Sequence, residues 1–173
     1  MNQLIKGKNS LSRTQVDKLI VEHLIFLKSG GAGGNWTTLV IDGIVTGIYN
    51  SRGMYKGVQA QFEHRRLNCD CTLEDQLLSF ANCCGLYAPK LEAPRIDLSY
   101  CLITDAFLPN ANFQDGNLKK ADFSRAVLTN VDFRGADLRY ADFENCNLNG
   151  SDFRGARLEG ARFPGASLKE VII

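Results

Sequence analysis

From residue 96 onward, apolar positions recur every five residues. Written in that frame, the chain reads IDLSY CLITD AFLPN ANFQD GNLKK ADFSR AVLTN VDFRG ADLRY ADFEN CNLNG SDFRG ARLEG ARFPG ASLKE, with no insertion up to residue 170. The centre of each unit is large and apolar: Leu98 and Ile103, then Leu108, Phe113, Leu118, Phe123, Leu128, Phe133, Leu138, Phe143, Leu148, Phe153, Leu158, Phe163 and Leu168. From Leu108 on, Leu and Phe alternate without exception. From Leu108 on, two residues before each centre stands a small residue, as at Ala106, Ala121, Cys146 and Ser151, with Val131 the large exception. Between them lies a polar residue, often Asp or Asn. A period of five suits neither a helix nor a flat strand. Residues two apart on an extended segment face the same way. Each unit is therefore a short extended segment, with small and large residues inward and the polar one outward, followed by a corner. Gly135, Gly150, Gly155, Gly160 and Gly165 close their units, as a tight corner prefers.

The first 80 residues follow other periods. Ser12-Arg13-Thr14-Gln15 reads as a capping box. After it, Val16, Leu19, Ile20, His23, Leu24 and Leu27 share one helical face, and the helix stops at Ser29 and the glycines that follow. Trp36 to Tyr49 predicts two short strands around Asp42-Gly43. Leu73 to Phe80 predicts a further helix with Thr72 as its cap. Ala81-Asn82-Cys83-Cys84-Gly85 already fits the five-residue frame. In the next two units sizes are exchanged, with Leu86 and Leu91 in the small position and Ala88 and Ala93 at the centre. The organisation expected is an N-terminal α+β region, 1–80, capping a repeat region, 81–173, whose clear units run from 96 to 170.

The unit pattern resembles the A(D/N)LXX signature of the pentapeptide-repeat family. The resemblance covers 75 of the 173 residues. It implies a mainly β fold, a right-handed quadrilateral β-helix with four units per turn. Residues 20 apart would then stack, so Phe113, Phe133 and Phe153 form one ladder and Phe123, Phe143 and Phe163 the opposite one. Some members of the family resemble B-form DNA in shape and charge, bind DNA gyrase or topoisomerase IV and confer quinolone resistance.

The formal net charge is +1, with 11 Lys/Arg against 8 Asp/Glu before Ile96 and 9 against 11 after it. Such balance implies no direct nucleic-acid partner and no acidic membrane. It also argues against DNA mimicry, because Arg125, Arg134, Arg139, Arg154, Arg157 and Arg162 interrupt the acids along the repeat. No stretch approaches the roughly 20 apolar residues of a membrane-spanning helix, and the first 15 residues lack a secretory apolar core. The expectation is a cytoplasmic protein with reduced thiols.

Candidate chemistry is sparse. Gly30–Gly34 is preceded by the predicted helix and followed by strands, the reverse of a phosphate loop. Cys69, Cys71, Cys83 and Cys84 are the candidate thiolates for zinc, but their spacing departs from C-x2–4-C. Glu63-His64-Arg65-Arg66 gathers an imidazole between charges without a third catalytic partner. No catalytic residue, cofactor or metal is therefore assigned, and the chain reads as a non-enzyme. The reading favoured is a protein-interaction scaffold with a partner of unknown identity; DNA mimicry and a ligand- or metal-binding activity in residues 1–80 are the alternatives. The candidate contacts are the outward column Tyr100, Lys120 and Tyr140 and the pair Arg134 and Arg154. Val171, Ile172 and Ile173 continue the frame without a capping helix, so a homodimer joining the C-terminal coils is expected.

Overall fold

The computed structural model describes residues 10–28, 37–41, 44–50, 53–54, 62–67 and 72–173, with residues 37–54 and Phe26 described by backbone alone. Gly30–Gly34, Trp36, Asp42, Gly43, Cys69 and Cys71 lie outside the described residues.

The repeat region is a β-helix with a period of 20 residues. Single parallel bridges join the second residue of each unit to its equivalent one coil on, as in Asn112 to Asp132 and Asp132 to Asp152. The backbone hydrogen bonds can be followed in full around the ANFQD unit. Asn112 N–H donates to Leu91 O in the coil before, at 2.8 Å. Phe113 N–H donates to Asp132 O and Asp115 N–H to Arg134 O in the coil after, at 2.8 and 2.9 Å. Gly116 N–H closes the corner on Phe113 O at 3.1 Å. The fifth residue has positive φ, as in a type II turn, and most of the fifth residues are not glycine; Phe80, Tyr100, Lys120 and Tyr140 all adopt it.

That scheme leaves the fourth N–H of each unit without a backbone acceptor. Where the second residue is Asp or Asn, its side chain supplies one: Gln114 N–H donates to Asn112 Oδ1, Ser124 N–H to Asp122 Oδ1 and Arg154 N–H to Asp152 Oδ1, at 2.9–3.1 Å. Asp and Asn are thus turn acceptors as well as polar exterior. Proline needs no such acceptor. All four prolines, Pro89, Pro94, Pro109 and Pro164, hold the fourth position, and their units carry Tyr87, Glu92, Phe107 and Arg162 in the second.

The interior follows the expected ladders. Phe133 stacks on Phe153 with centroids 4.9 Å apart, and Phe123 on Phe143 at 5.1 Å. The two ladders meet edge to face across the core, Phe123 to Phe133 at 6.1 Å. The polar small residues find acceptors inside: Cys101 Sγ donates to Leu78 O, Cys146 Sγ to Phe123 O and Ser151 Oγ to Leu128 O.

Rungs continue upstream of residue 81. Leu77 bridges Asp97 and Thr72 bridges Glu92, so Leu73 and Leu78, five apart, are unit centres. The expected helix over Leu73–Phe80 is replaced by two repeat units. Leu77 gave the stretch its helical look, but it sits in the second position, 52 % exposed. Thr72 does cap, but it caps a corner, where its Oγ1 accepts Glu74 N–H and donates to Glu92 O. Farther upstream, Arg66 bridges Tyr87 at a separation of 21. One extra residue therefore falls between Leu67 and Thr72, and it hides the earliest rungs from a strict frame. The exchanged units behave as expected: Leu86, Ala88, Leu91 and Ala93 are all buried. A cavity of about 10 Å³ remains beside them, lined by Phe62, Leu73, Cys83, Leu86 and Leu91 among others, all apolar.

β1 (Ser10–Leu11) pairs in parallel with β5 (Arg66–Leu67). α1 (Arg13–Phe26) follows, with both capping-box hydrogen bonds present between Ser12 and Gln15. Leu11, Val16 and Ile20 belong to the same apolar cluster as the coil interior, with Leu19 and Leu24 packed against it. His23 is fully buried, hydrogen-bonded through the backbone of Ser79, and burial lowers its pKa to about 4. β2 (Thr37–Ile41), β3 (Ile44–Asn50) and β4 (Gly53–Met54) form an antiparallel sheet in that order, with an irregularity between Leu39 and Val40.

Candidate interaction surface

The outward positions of the coils line up as straight ladders, so a side chain's surroundings are set by the residues 20 before and after it. In the corner ladder of Tyr100, Lys120 and Tyr140, Phe80 stacks under Tyr100 with centroids 4.9 Å apart. Lys120 Nζ lies 5.1 Å from the Tyr100 ring centre, within cation–π range. Tyr140 is 59 % exposed. A Cβ placed on Gly160 would come within 2.5 Å of the Tyr140 ring, so that ring lies along the corner of the last coil. The structure brings the three predicted residues into one strip and adds Phe80 to it. Phe80 was hidden by the helical reading of its unit.

Arg134 and Arg154 also stack as expected, but each is held by the carboxylate two residues before it. Arg134 Nη2 to Asp132 Oδ2 and Arg154 Nη2 to Asp152 Oδ2 are both 2.7 Å. Arg139 grips Asp137 in the same way, Arg162 bonds Asp142 one coil away, and Arg125 bonds Asp105. These hydrogen bonds hold the carboxyls of Asp105, Asp132, Asp137 and Asp152 below the usual range. Asp105, Asp132, Asp137, Asp142 and Asp152 are thus neutralised in place.

A second strip was not singled out in the sequence. Tyr87 and Phe107 stack with centroids 5.0 Å apart and planes 8° apart, and the Arg66 guanidinium lies 3.9 Å from the Tyr87 ring centre. Phe107 is 37 % exposed, and Leu102, on the neighbouring face, 49 %. The sequence signal was present: these are the second positions that carry an apolar residue where the pattern expects Asp or Asn.

The reactive residues are dispersed. Cys83 lies in the core, and burial, with the nearby Cys84, pushes its thiol up to about 12; Cys146 is raised to about 11, mainly by burial. Cys84 is half-buried in a corner and accepts a hydrogen bond from Thr104 Oγ1 at 3.2 Å. His64 is exposed beside Glu63. At the other end, Leu138, Phe143 and Leu148 are fully buried, whereas their equivalents one coil on, Leu158, Phe163 and Leu168, are partly open. Ile173 is 87 % exposed. No described helix is long and apolar enough to cross a membrane.

Comparison with known proteins bears on this architecture. No curated protein matches the chain. Among solved structures, HetL, a pentapeptide repeat protein involved in heterocyst differentiation regulation from the cyanobacterium Nostoc, is 25 % identical with a TM-score of 0.44 over 66 % of this chain and 64 % of that one. QnrB1, a plasmid-mediated fluoroquinolone resistance protein, is 19 % identical with a TM-score of 0.36, covering 58 % of this chain and 57 % of its own. A pentapeptide repeat protein from the thylakoid lumen of Arabidopsis thaliana is 26 % identical with a TM-score of 0.22, covering 59 % and 68 %. The chain thus spans less than two thirds of the length of HetL and of QnrB1. The pentapeptide repeats family profile matches in eight copies over residues 95–130, 110–145 and 132–169, and it points to no enzyme. With five-residue units stacked at a period of 20 and that profile laid over them, residues 95–169 are pentapeptide repeats, whose coil is right-handed.

Proposed function

We propose that the protein is a non-catalytic interaction module that presents the sides of its β-helix to another protein. The exposed Tyr100–Lys120–Tyr140 strip carries this reading. Large aromatic side chains there stand in solvent on a backbone fixed by rungs on both sides, so little conformational freedom is lost on docking. The interior is packed with apolar side chains, and its cavity of about 10 Å³ has room for no more than one water. The test is affinity capture from the native extract with the full chain and with a Tyr100→Ala, Tyr140→Ala variant. Loss of one dominant partner with the variant is the expected result. A partner retained equally by both would move the contact elsewhere.

Two finer features belong to the same proposal. β1 and α1 cover the first coil, which shields its apolar end from solvent. The last coil joins a second copy end to end, supported by the open side chains of Leu158, Phe163, Leu168 and Ile173. Equilibrium sedimentation at tens of micromolar checks the second point: a dimer is expected, with Phe163→Glu and Ile173→Glu returning it to monomer. A monomer throughout that range would remove it.

A further inference from the structure

The four sides of the coil differ in how much water they would cost a partner to displace. Three of them carry carboxylates in the outward positions, many in ion pairs with arginine, such as Asp132–Arg134, Asp137–Arg139 and Asp105–Arg125. Docking there means stripping water from paired charges. The fourth side is built differently. Its second-position ladder is Tyr87, Phe107, Val127, Asn147 and Ser167; its fourth-position ladder is Pro89, Pro109, Thr129, Asn149 and Lys169; its corner ladder is Lys90, Asn110, Asn130, Gly150 and Glu170. Up to Gly150 none of these outward residues is acidic. The prolines have no N–H to desolvate, and the Asn110 and Asn130 amides bond one another at 3.4 Å. Tyr87 and Phe107 are locked in register by stacking, with Arg66 against the outer face of Tyr87. Lys90 is exposed at the corner, and among the described residues no ion pair engages it.

Among the described residues this side is therefore an apolar, pre-ordered strip whose charges from Arg66 to Gly150 are positive, with Lys169 and Glu170 following in the last coil. We infer that it is the docking face for a protein segment that is apolar at its centre and acidic at its flank, the apolar part lying along Tyr87, Phe107 and Val127 and the acids against Lys90 and Arg66. The inference rests on the interaction reading above and names a second face and the chemistry of its partner. Charge complementarity at an apolar strip selects an acidic segment over a basic one and lets salt weaken the encounter.

The test uses the full chain with the photo-crosslinking residue p-benzoylphenylalanine in place of Phe107, Tyr140 or Gln114, irradiated in native extract. The Gln114 position lies on an ion-paired side and serves as the control. The expected result is one dominant adduct from position 107, whose cross-linked peptide holds aliphatic or aromatic residues beside Asp or Glu. That adduct should fall at least fivefold with Lys90→Glu, and with Val127→Lys as an independent second variant, while thermal unfolding of both variants is unchanged. A basic cross-linked peptide, a second copy of this chain, or labelling equal to the Gln114 control would overturn the inference. If position 140 cross-links and 107 does not, the interaction module stands and this face falls; if neither does, both fall.

Discussion

Between the early coils, up to about residue 105, and the later ones, the wall is made in the same way but filled differently. In the later coils each centre meets its own kind 20 residues away, Phe on Phe and Leu on Leu, and the contacts repeat without loss. In the early coils Cys83, Ala88 and Ala93 occupy centres, Leu86 and Leu91 fill small positions, and a one-residue slip separates the first rungs from the rest. The backbone ladder tolerates both. What the irregular filling costs is close packing, visible as the small cavity at that end. The same end is where α1 adds its apolar face to the cluster.

Four experiments can break or sharpen this contrast. Phe133→Ala empties the middle of a ladder that stacks on both sides and should cost about 3–5 kcal/mol in chemical denaturation. A loss no greater than that of a typical surface change would mean that the regular coils owe their strength to the backbone alone.

Acid should act first on the other end. His23 is buried neutral, with its pKa lowered from 6.5 to about 4 by burial. The folded state binds the proton more weakly than the unfolded chain does, so stability falls as pH drops from about 6.5 toward 4. At about 1.4 kcal/mol per pH unit, the loss approaches roughly 3 kcal/mol. The arginine-bound carboxylates of Asp132 and Asp137 contribute stability above their ordinary value of 3.8, which is lost only as pH falls below it. Hydrogen exchange at pH 5 should therefore quicken in α1 before the later coils, and His23→Leu should abolish the difference.

Gly160→Ala puts a Cβ on a backbone with φ of +74° and into the Tyr140 ring. It should cost about 1–2 kcal/mol and shift the Tyr140 ring resonances. Smallest is Cys83→Val, which adds about one methyl group beside the cavity and should stabilise by about 0.5–1 kcal/mol in thermal or chemical unfolding.

Much of the coil was legible because a repeated unit states its environment many times over. Leu and Phe at the centres, small residues two before them and Asp or Asn between are each explained by a direction the backbone imposes. The prolines gain their meaning from the hydrogen bonds: they stand where the backbone offers an N–H no acceptor, and their units lack the Asp or Asn that would supply one. The rungs at Phe62–Leu67 were not legible, because one extra residue before Thr72 breaks the count. Leu73–Phe80 misled because Leu73 and Leu77, four apart, imitate a helical face, while the true pair is Leu73 and Leu78. Of the surface, the Tyr100 column followed from spacing alone. The Tyr87–Phe107 stack needed the rungs to extend below residue 96, and the ion pairing of Arg134 and Arg154 needed side-chain geometry.

The coil has two nested periods, and they do not protect the same things. From Leu108 on, its filling repeats every ten residues, and its surface columns every twenty. Removing five residues from that stretch would set Phe over Leu along the rest of the interior. Removing ten would restore the interior match but carry every downstream residue to the opposite side of the shaft. Only whole turns of twenty can be gained or lost without disturbing either. The molecule behaves as a screw thread whose pitch is written in residue number, so changes of length that keep a docking face intact come in steps of four units.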